Sequence, residues 1–378
     1  MRRLSIDTTD ILIVGGGPAG LSAAAASATM GANVVIIDEN EVVGGQLVKQ
    51  THKFFGSEKQ FAGTRGISIG LKLIDSIKNN NKVRLINDAT VMSYYTDDGV
   101  VTYVKDKNFY KIMAKKIIFA TGASEKMITF PKNDLPGIYG AGGVQTLMNV
   151  YGIVPGNNVL MIGAGNIGLI VSYQLLQAGV NVQGIVEAMP EIGCYLVHAS
   201  KIRRAGVPIY TSHTVKEAYG EDCVEGAIIW ELDEKWNPIS GTEKDIKTDN
   251  ICLAVGLSPA TEFLWQAGCQ MKFIPELSGH VPMRNQYLET TIEGIYVAGD
   301  SGGVEEASSA MVEGRLAGYS AAMSLGLGRG QVESLISEAL NELDELREGP
   351  VGEKIKKGIE KATYRKDEEA MEEGWKIC

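Results

Sequence analysis

The chain has 378 residues, 44% hydrophobic and 22% charged, and its 36 Lys and Arg against 46 Asp and Glu leave a net charge of −10. That length suits two or three domains, the balance excludes a disordered chain, and the acidity excludes a nucleic-acid partner that relies on a basic footprint. Glycine is in excess at 45 residues, against about 7% in an average protein, so backbone must approach something closely in several places.

Met1-Arg2-Arg3 ahead of an alanine-rich stretch imitates an export signal. Gly15-Gly16-Gly17-Pro18 interrupts that stretch, so the segment is read as working protein and a cytoplasmic setting is expected. Residues 11–14 form a short β-branched run that stops at Gly15-Gly16-Gly17-Pro18-Ala19-Gly20. A helix is predicted from there to about Met30, and a second buried strand over residues 33–37, ending at Asp38-Glu39. Strand, glycine turn, helix, strand is one βαβ unit. Residues 116–119 read as a strand entering a tight turn at Ala120-Thr121-Gly122. The same grammar then returns: strand 158–162, the turn Gly163-Ala164-Gly165-Asn166-Ile167-Gly168, a helix to about Gln177, and strand 182–186 ending at Glu187. Residues 251–259 repeat the closing phrase of the first copy. Residues 294–300 are another buried strand, ending in Gly299-Asp300, and a helix is predicted from Glu305 to about Leu325. Past Gly330, Val332, Leu335, Ile336, Ala339, Leu340, Leu343 and Leu346 recur at helical spacing until Gly349-Pro350, which is read as the end of that helix. The rest, rich in Lys and Glu, reads as a solvated tail or as a docking element for a partner subunit. The parse is α/β, with a first domain in two parts (1–125 and 257–330), a second inserted in it (126–256), and a helical charged tail (331–378).

Each glycine turn carries the chemistry of a dinucleotide site. The first glycine makes the turn, the second admits a pyrophosphate, and the third lets helix and strand pack closely, while the helix N-terminus offers free N–H groups to the phosphates. An acidic residue for the ribose hydroxyls is expected roughly 20 residues on, where Asp38 and Glu187 stand. FAD needs contacts beyond one βαβ unit, and only the first copy has them. Gly44-Gly45-Gln46-Leu47 can lie against the isoalloxazine, Ala120-Thr121-Gly122 returns near the pyrophosphate, and Asp300 can meet a ribityl hydroxyl. The helix near Glu305 can point its positive end at the flavin and favour the charge that develops on reduction. The second copy lacks these additions and is expected to hold NAD(H); Glu187, with no neighbouring Arg, favours NAD over NADP.

Taken in order, Gly15-x-Gly17-x-x-Gly20, Ala120-Thr121-Gly122, Gly163-x-Gly165-x-x-Gly168 and Gly299-Asp300 resemble the two-dinucleotide-binding-domain flavoproteins of the thioredoxin reductase and glutathione reductase type, over about residues 8–325. The resemblance implies two Rossmann-like domains. It implies FAD contacts from Gly15, Gly17, Pro18, Ala19, Gly20, Asp38, Glu39, Gly45, Gln46, Leu47, Val91, Ala120, Thr121, Gly122, Gly299, Asp300, Glu306 and Ala307. For NAD it implies Gly163, Gly165, Asn166, Ile167, Gly168, Glu187 and Gly256. The five cysteines (Cys194, Cys223, Cys252, Cys269, Cys378) make no CxxC and no metal-type pairing, so a dithiol relay is rejected and no metal is expected. Gly44-Gly45-Gln46-Leu47, Gly165-Asn166-Ile167-Gly168-Leu169 and Glu305-Glu306-Ala307-Ser308-Ser309-Ala310 are similar to the flavin subunits of amine and amino-acid dehydrogenases. These are the relatives of sarcosine oxidase α, hydrogen cyanide synthase, opine oxidase and dye-linked proline dehydrogenase. In many of those a cysteine-rich iron–sulfur module follows. Here only Cys378 does, and one thiolate cannot hold a cluster. An oligomer is therefore expected, with an iron–sulfur or substrate-oxidising partner subunit.

Catalytic residues are not identified. Lys49 could stabilise reduced flavin, and His52 could tune the flavin or protonate a substrate; equally, His52 could be a loop residue packed beside Phe54 and Phe55. His198 and His213 read as structural, Cys194 as a small buried side chain rather than a reactive thiol, and Arg203-Arg204 as a solvated face rather than an NADP clamp. The expected function is FAD-dependent, NAD-linked oxidation and reduction, with hydride transfer between a reduced carrier and flavin N5. The leading form is the flavin subunit of a multi-subunit amine or amino-acid dehydrogenase. The alternatives are a self-contained NADH:acceptor reductase of the ferredoxin or thioredoxin reductase kind, and a non-catalytic assembly subunit.

Overall fold

The computed structural model describes residues 6–54 and 57–364. The chain divides into two compact units, one made of residues up to Ser124 together with those from Ser258 onward, the other of Glu125–Leu257.

In the first unit, residues 11–14 of the strand Ile6–Val14 are an unbroken apolar run exposed by 4% at most, as a strand covered on both faces must be. It pairs in parallel with Val34–Ile37 on one side and Asn108–Phe119 on the other, and Val83–Ile86 lies beyond Val34–Ile37. Asn108–Phe119 is long enough to serve two partners. Residues 117–119 take Ile295–Val297 in parallel, while its beginning runs antiparallel to Val100–Lys105, which in turn pairs with Thr90–Tyr95. Successive side chains alternate between two cores. Ile11, Ile13, Ile36 and Ile118 face the helices, whereas Leu12, Val14, Val35, Ile37, Ile117 and Phe119 face Val101, Leu264 and Val297. The helix Pro18–Thr29 starts on a proline, whose missing N–H costs nothing there, and stops at Gly31. Its small residues lie directly against the helix Ala307–Ser324, where Ser27 Oγ donates to Gly318 O at 3.2 Å.

Over the described residues the tail is not simply solvated: one face packs on the first unit, while others of its residues, Val351 among them, stay exposed. In Val332–Leu346, Val332, Ile336, Ala339 and Leu343 form a buried stripe that joins the core of this unit. Gly349-Pro350 ends that helix but also opens another, Gly349–Ala362, because proline is favoured in a first helical turn. Ile355, Ile359 and Ala362 of that helix pack with Ile274, Leu277 and Val281. Cys378 lies outside the described residues.

The second unit is a five-stranded parallel sheet in the spatial order Ile209–Tyr210, Asn181–Val186, Asn158–Ile162, Asn250–Leu253, Ile138–Gly140. The helices Ala141–Asn149, Asn166–Gln177 and Leu196–Arg204 accompany it, and a three-stranded antiparallel sheet completes the unit. This is α/β architecture with Rossmann-like sheets in both units, as the sequence implies. Among the described residues no helix is long and apolar enough to cross a membrane, and no cluster of His, Cys, Asp and Glu could hold a metal ion.

Candidate nucleotide-binding sites

The two glycine turns are built alike, atom for atom in their essentials. Gly15 N–H donates to Ile37 O at 2.9 Å and Ala120 N–H to Val14 O at 2.8 Å; in the second unit Gly163 N–H donates to Val186 O at 2.7 Å and Ala254 N–H to Ile162 O at 2.7 Å. These bonds bring the turn against the end of the neighbouring strand. A Cβ on Gly15 would lie 2.3 Å from Ala120 O, and one on Gly163 would lie 2.3 Å from Ala254 O. One on Gly20 would lie 1.8 Å from Gly15 O, and one on Gly168 would lie 2.1 Å from Gly163 O. No side chain fits at any of the four, and Gly15 (φ 104°) and Gly163 (φ 108°) also hold the left-handed backbone that glycine favours. The middle glycines differ. Gly17 and Gly165 cap the N-termini of Pro18–Thr29 and Asn166–Gln177 with ordinary extended φ and ψ, and the space beside them is open: 3.8 Å to Gly45 Cα for Gly17, nothing within 4 Å for Gly165. An open face at a helix N-terminus, with unpaired N–H groups and the positive end of the dipole, is where a pyrophosphate fits.

The two acidic residues do more than await a ribose. Asp38 Oδ2 accepts from Gly16 N at 2.6 Å and Oδ1 from Asn40 N at 2.8 Å. Glu187 does the same through a longer arm, Oε2 accepting from Ala164 N at 2.7 Å and Oε1 from Met189 N at 2.9 Å. Each carboxylate therefore ties its glycine turn to the end of the second strand, while further lone pairs remain for ribose hydroxyls. Glu39 beside Asp38 is exposed.

The further elements expected from the sequence to meet FAD gather around the turn of the first unit. Gly44 N–H donates to Gly16 O at 2.8 Å, and Gly45 Cα lies so near Gly17 that a Cβ on Gly45 would stand 2.8 Å from Gly17 Cα. The short helix Gly45–Lys49 follows, with Gln46 exposed and Leu47 buried. Ala89 N–H donates to Asp38 O at 3.0 Å, which brings the start of the strand carrying half-buried Val91 to the same corner. Thr121 Oγ1 donates to Ala260 O at 2.7 Å and so pins the turn Ala120-Thr121-Gly122. Gly299 stands over the first turn of Pro18–Thr29, where its Cβ would meet Ala19 Cβ at 2.9 Å. Asp300 follows, with Oδ1 accepting from Glu305 N at 3.3 Å, and Glu306 and Ala307 open the helix Ala307–Ser324. Burial pushes the Asp300 carboxyl up to about 7; the Glu305 N–H opposes the shift, and the carboxylates of Glu305, Glu313 and Glu306 add to it. A desolvated carboxyl beside a helix N-terminus is a waiting partner for a hydroxyl group, so these residues fit the ribityl chain of FAD.

Of the weaker candidates, Lys49 is half-buried at the end of its helix, and His52 stacks on Phe54 with ring centroids 5.9 Å apart. That is the packed-loop arrangement for His52; Phe55 lies outside the described residues. Burial lowers the pKa of His198, with help from the charge of Lys201. His213 accepts from Lys244 Nζ at 2.8 Å and bonds Thr211 O at 2.7 Å, a structural pairing. Cys194 is half-buried, its thiol pushed above the ordinary range by burial, the opposite of an activated thiolate. Sequence reasoning missed the buried charges beneath Asp300. Glu313, a lone acid in a helix of small residues, accepts from Gly299 N at 3.0 Å, from Arg284 Nη2 at 3.2 Å and from Arg347 Nη2 at 2.7 Å.

Fold and site together have the features of an oxidoreductase, with a candidate dinucleotide site in each unit. A family model described as pyridine nucleotide-disulphide oxidoreductase matches residues 9–314, and the chain belongs to that family. It is accordingly an oxidoreductase whose cofactors are FAD and a pyridine nucleotide. It is 28% identical over 344 residues to an opine oxidase subunit of Agrobacterium tumefaciens (strain Ach5), covering 87% of this chain and 68% of that one. Among solved structures it is similar to L-proline dehydrogenase from P. horikoshii (TM-score 0.68, 22% identity, 89% of this chain and 60% of that one). It is also similar to T. acidophilum thioredoxin reductase (TM-score 0.69, 24% identity, 84% and 99%). The chain thus spans about two thirds of the opine oxidase polypeptide and less of the proline dehydrogenase chain.

Proposed function

We propose that this chain is the FAD-carrying subunit of a multi-subunit amine or amino-acid dehydrogenase, with FAD on the first unit, NAD(H) on the second, and electrons leaving to an iron–sulfur or substrate-oxidising partner. The observation that carries the reading is the state of the cysteines. Among the described residues all four are free, and Cys194, Cys252 and Cys269 have thiols raised by burial, so no activated thiol stands ready to relay electrons to a disulfide. The name of the opine oxidase relative, a subunit, supports a partner, and the substrate class (proline, sarcosine or an opine) follows from such relatives. A cytoplasmic setting goes with the free thiols.

FAD supplies the two-electron chemistry when bound. The N-terminus of Pro18–Thr29 would hold the pyrophosphate and Asp300 a ribityl hydroxyl, and the positive end of Ala307–Ser324 would favour the negative charge that reduction brings. The test is anaerobic titration of the FAD-loaded protein with proline, with sarcosine, with an opine and with NADH, following flavin absorbance, with and without the product of a neighbouring gene for a small cysteine-rich protein. Reduction by one of the amines that becomes multiple-turnover only with the partner supports the reading. Rapid NADH-driven turnover with ferredoxin or thioredoxin and no partner would replace it with the self-contained reductase. FAD that none of these reduces would leave an assembly subunit.

A further inference from the structure

Four charged side chains meet at the turn of residues 299–305: Glu305 at its end, Glu313 on the helix that follows, and Arg284 and Arg347 from distant parts of the chain. Glu313 is 2% exposed and Arg284 2% exposed. Arg347, immediately after the helix Val332–Leu346, is 9% exposed. Arg347 grips Glu305 with a two-pronged fork, Nε to Oε2 at 3.0 Å and Nη2 to Oε1 at 2.6 Å, and Nη2 also reaches Glu313 at 2.7 Å. Arg284 Nη2 donates to Glu313 at 3.2 Å and Nη1 to Gly302 O at 2.8 Å. The anchors of the turn therefore end on two arginines: Gly299 N–H through Glu313, Gly302 O directly, and the Glu305 side chain, whose own N–H holds Asp300.

The tail controls both arginines. It carries Arg347 outright. Arg284 is held by its backbone, with Arg284 N–H donating to Ala362 O at 2.9 Å and Tyr364 N–H to Arg284 O at 3.2 Å. Two arginines against two glutamates make a neutral set, but taking Arg347 away leaves Glu305 and Glu313 facing Asp300 with Arg284 alone. A buried ion set of this kind is seldom worth more than apolar packing in stability, whereas removing one member leaves an uncompensated charge. Its placement under the one turn that carries Asp300 is better explained by the site than by the core.

We propose that Arg347 is a positioning residue for FAD: by clamping Glu305 and Glu313 it fixes residues 299–305, so that docking of the segment 332–362 completes the flavin site. The inference rests on the reading that FAD occupies the first unit. The planar fork matters, because a lysine offers one point of contact in place of two.

The test is FAD affinity of the full-length apoprotein, read by quenching of flavin fluorescence, with NADH affinity as the control for the second unit. Arg347→Met should weaken FAD by tenfold or more and leave NADH unchanged, with Arg347→Lys recovering only part of the loss. The double variant Glu305→Gln/Arg347→Met removes one charge of each sign and should regain thermal stability over Arg347→Met, but with no fork it should still bind FAD several-fold more weakly than wild type, a split that a purely structural role would not give. Should Arg347→Met not fold, Arg347→Lys and the double variant decide on the same readout. FAD affinity within twofold of wild type in Arg347→Met, or in a double variant that has regained its thermal stability, would overturn the proposal. Gly17→Asp, which puts a carboxylate at the pyrophosphate position, separates the two claims. If Gly17→Asp abolishes FAD binding and Arg347→Met does not disturb it, the clamp fails alone; if neither affects FAD, the placement of FAD fails first.

Discussion

Gly314 joins the stability of the first unit to its nucleotide site. It sits in the helix Ala307–Ser324 with its α-carbon against the first turn of Pro18–Thr29, so that a Cβ would lie 2.1 Å from Ala19 O and 2.8 Å from Ala19 C. Ordinary van der Waals contact begins at 3.4 Å, and both sides of this contact are backbone, so the helices must part by more than an ångström in Gly314→Ala. Overpacking of this kind costs about 1–3 kcal/mol, and the absence of any side chain that could rotate away places it at the upper end. The alanine returns about 1 kcal/mol in helix propensity. The net expectation is a loss of about 2 kcal/mol, or roughly 4–8 °C in the unfolding midpoint of a unit this size. Because the displaced atoms belong to Ala19, at the mouth of the glycine turn, FAD should also bind more weakly. Thermal unfolding by circular dichroism with and without FAD, together with an FAD titration, checks both. A midpoint at or above wild type with unchanged FAD affinity would refute the reasoning.

Gly143 provides the opposite case. It lies in the helix Ala141–Asn149 with no heavy atom within 4 Å of its would-be Cβ, so Gly143→Ala should raise stability by about 0.5–1 kcal/mol in a denaturant titration. Asp300 governs a pH effect in the apoprotein. Its folded pKa, about 7, is raised from 3.8, so between those values the folded state binds more protons than the unfolded, and stability falls as pH rises through that window. Asp300→Asn should flatten that dependence and, above pH 7, stabilise the apoprotein by on the order of 4 kcal/mol, while losing FAD. Urea titrations from pH 4 to 8 measure it, and parallel pH profiles for the two proteins would count against a buried carboxyl here.

Both glycine turns were legible because everything that makes them is local: an apolar strand, glycines at fixed spacing, a helix, and an acid at the end of the next strand. The roles of Asp38 and Glu187 were only half legible. Their spacing marks them as candidates for a ribose, but their bonds to Gly16 N and Ala164 N depend on the turn's exact path. The set Arg284, Glu305, Glu313 and Arg347 was not legible, since its members lie up to 63 residues apart in sequence and only the fold brings them together. Glu313 inside a helix of Ala, Gly, Ser and Met was the available signal, because an acid on such a helix must find a partner. The tail shows its apolar stripe at helical spacing without showing what the stripe covers. Gly349-Pro350 has two readings, a stop and a start, and the structure uses both.

The central claim is that each unit holds its own nucleotide, FAD in the first and the pyridine nucleotide in the second. Gly17 and Gly165 allow a direct test, because each has ordinary backbone angles and open space beside it, and aspartate is a favoured residue at a helix N-cap. Gly17→Asp and Gly165→Asp should therefore fold at least as well as wild type. Each places a carboxylate where a phosphate would sit; at about 4 Å and an effective dielectric near 20, the repulsion is about 4 kcal/mol, approaching a thousandfold in affinity. The decisive measurement is calorimetric titration of both variants with FAD and with NADH. The account expects Gly17→Asp to lose FAD and keep NADH, and Gly165→Asp to do the reverse. Folded variants that keep both nucleotides, or lose the opposite one, would contradict it.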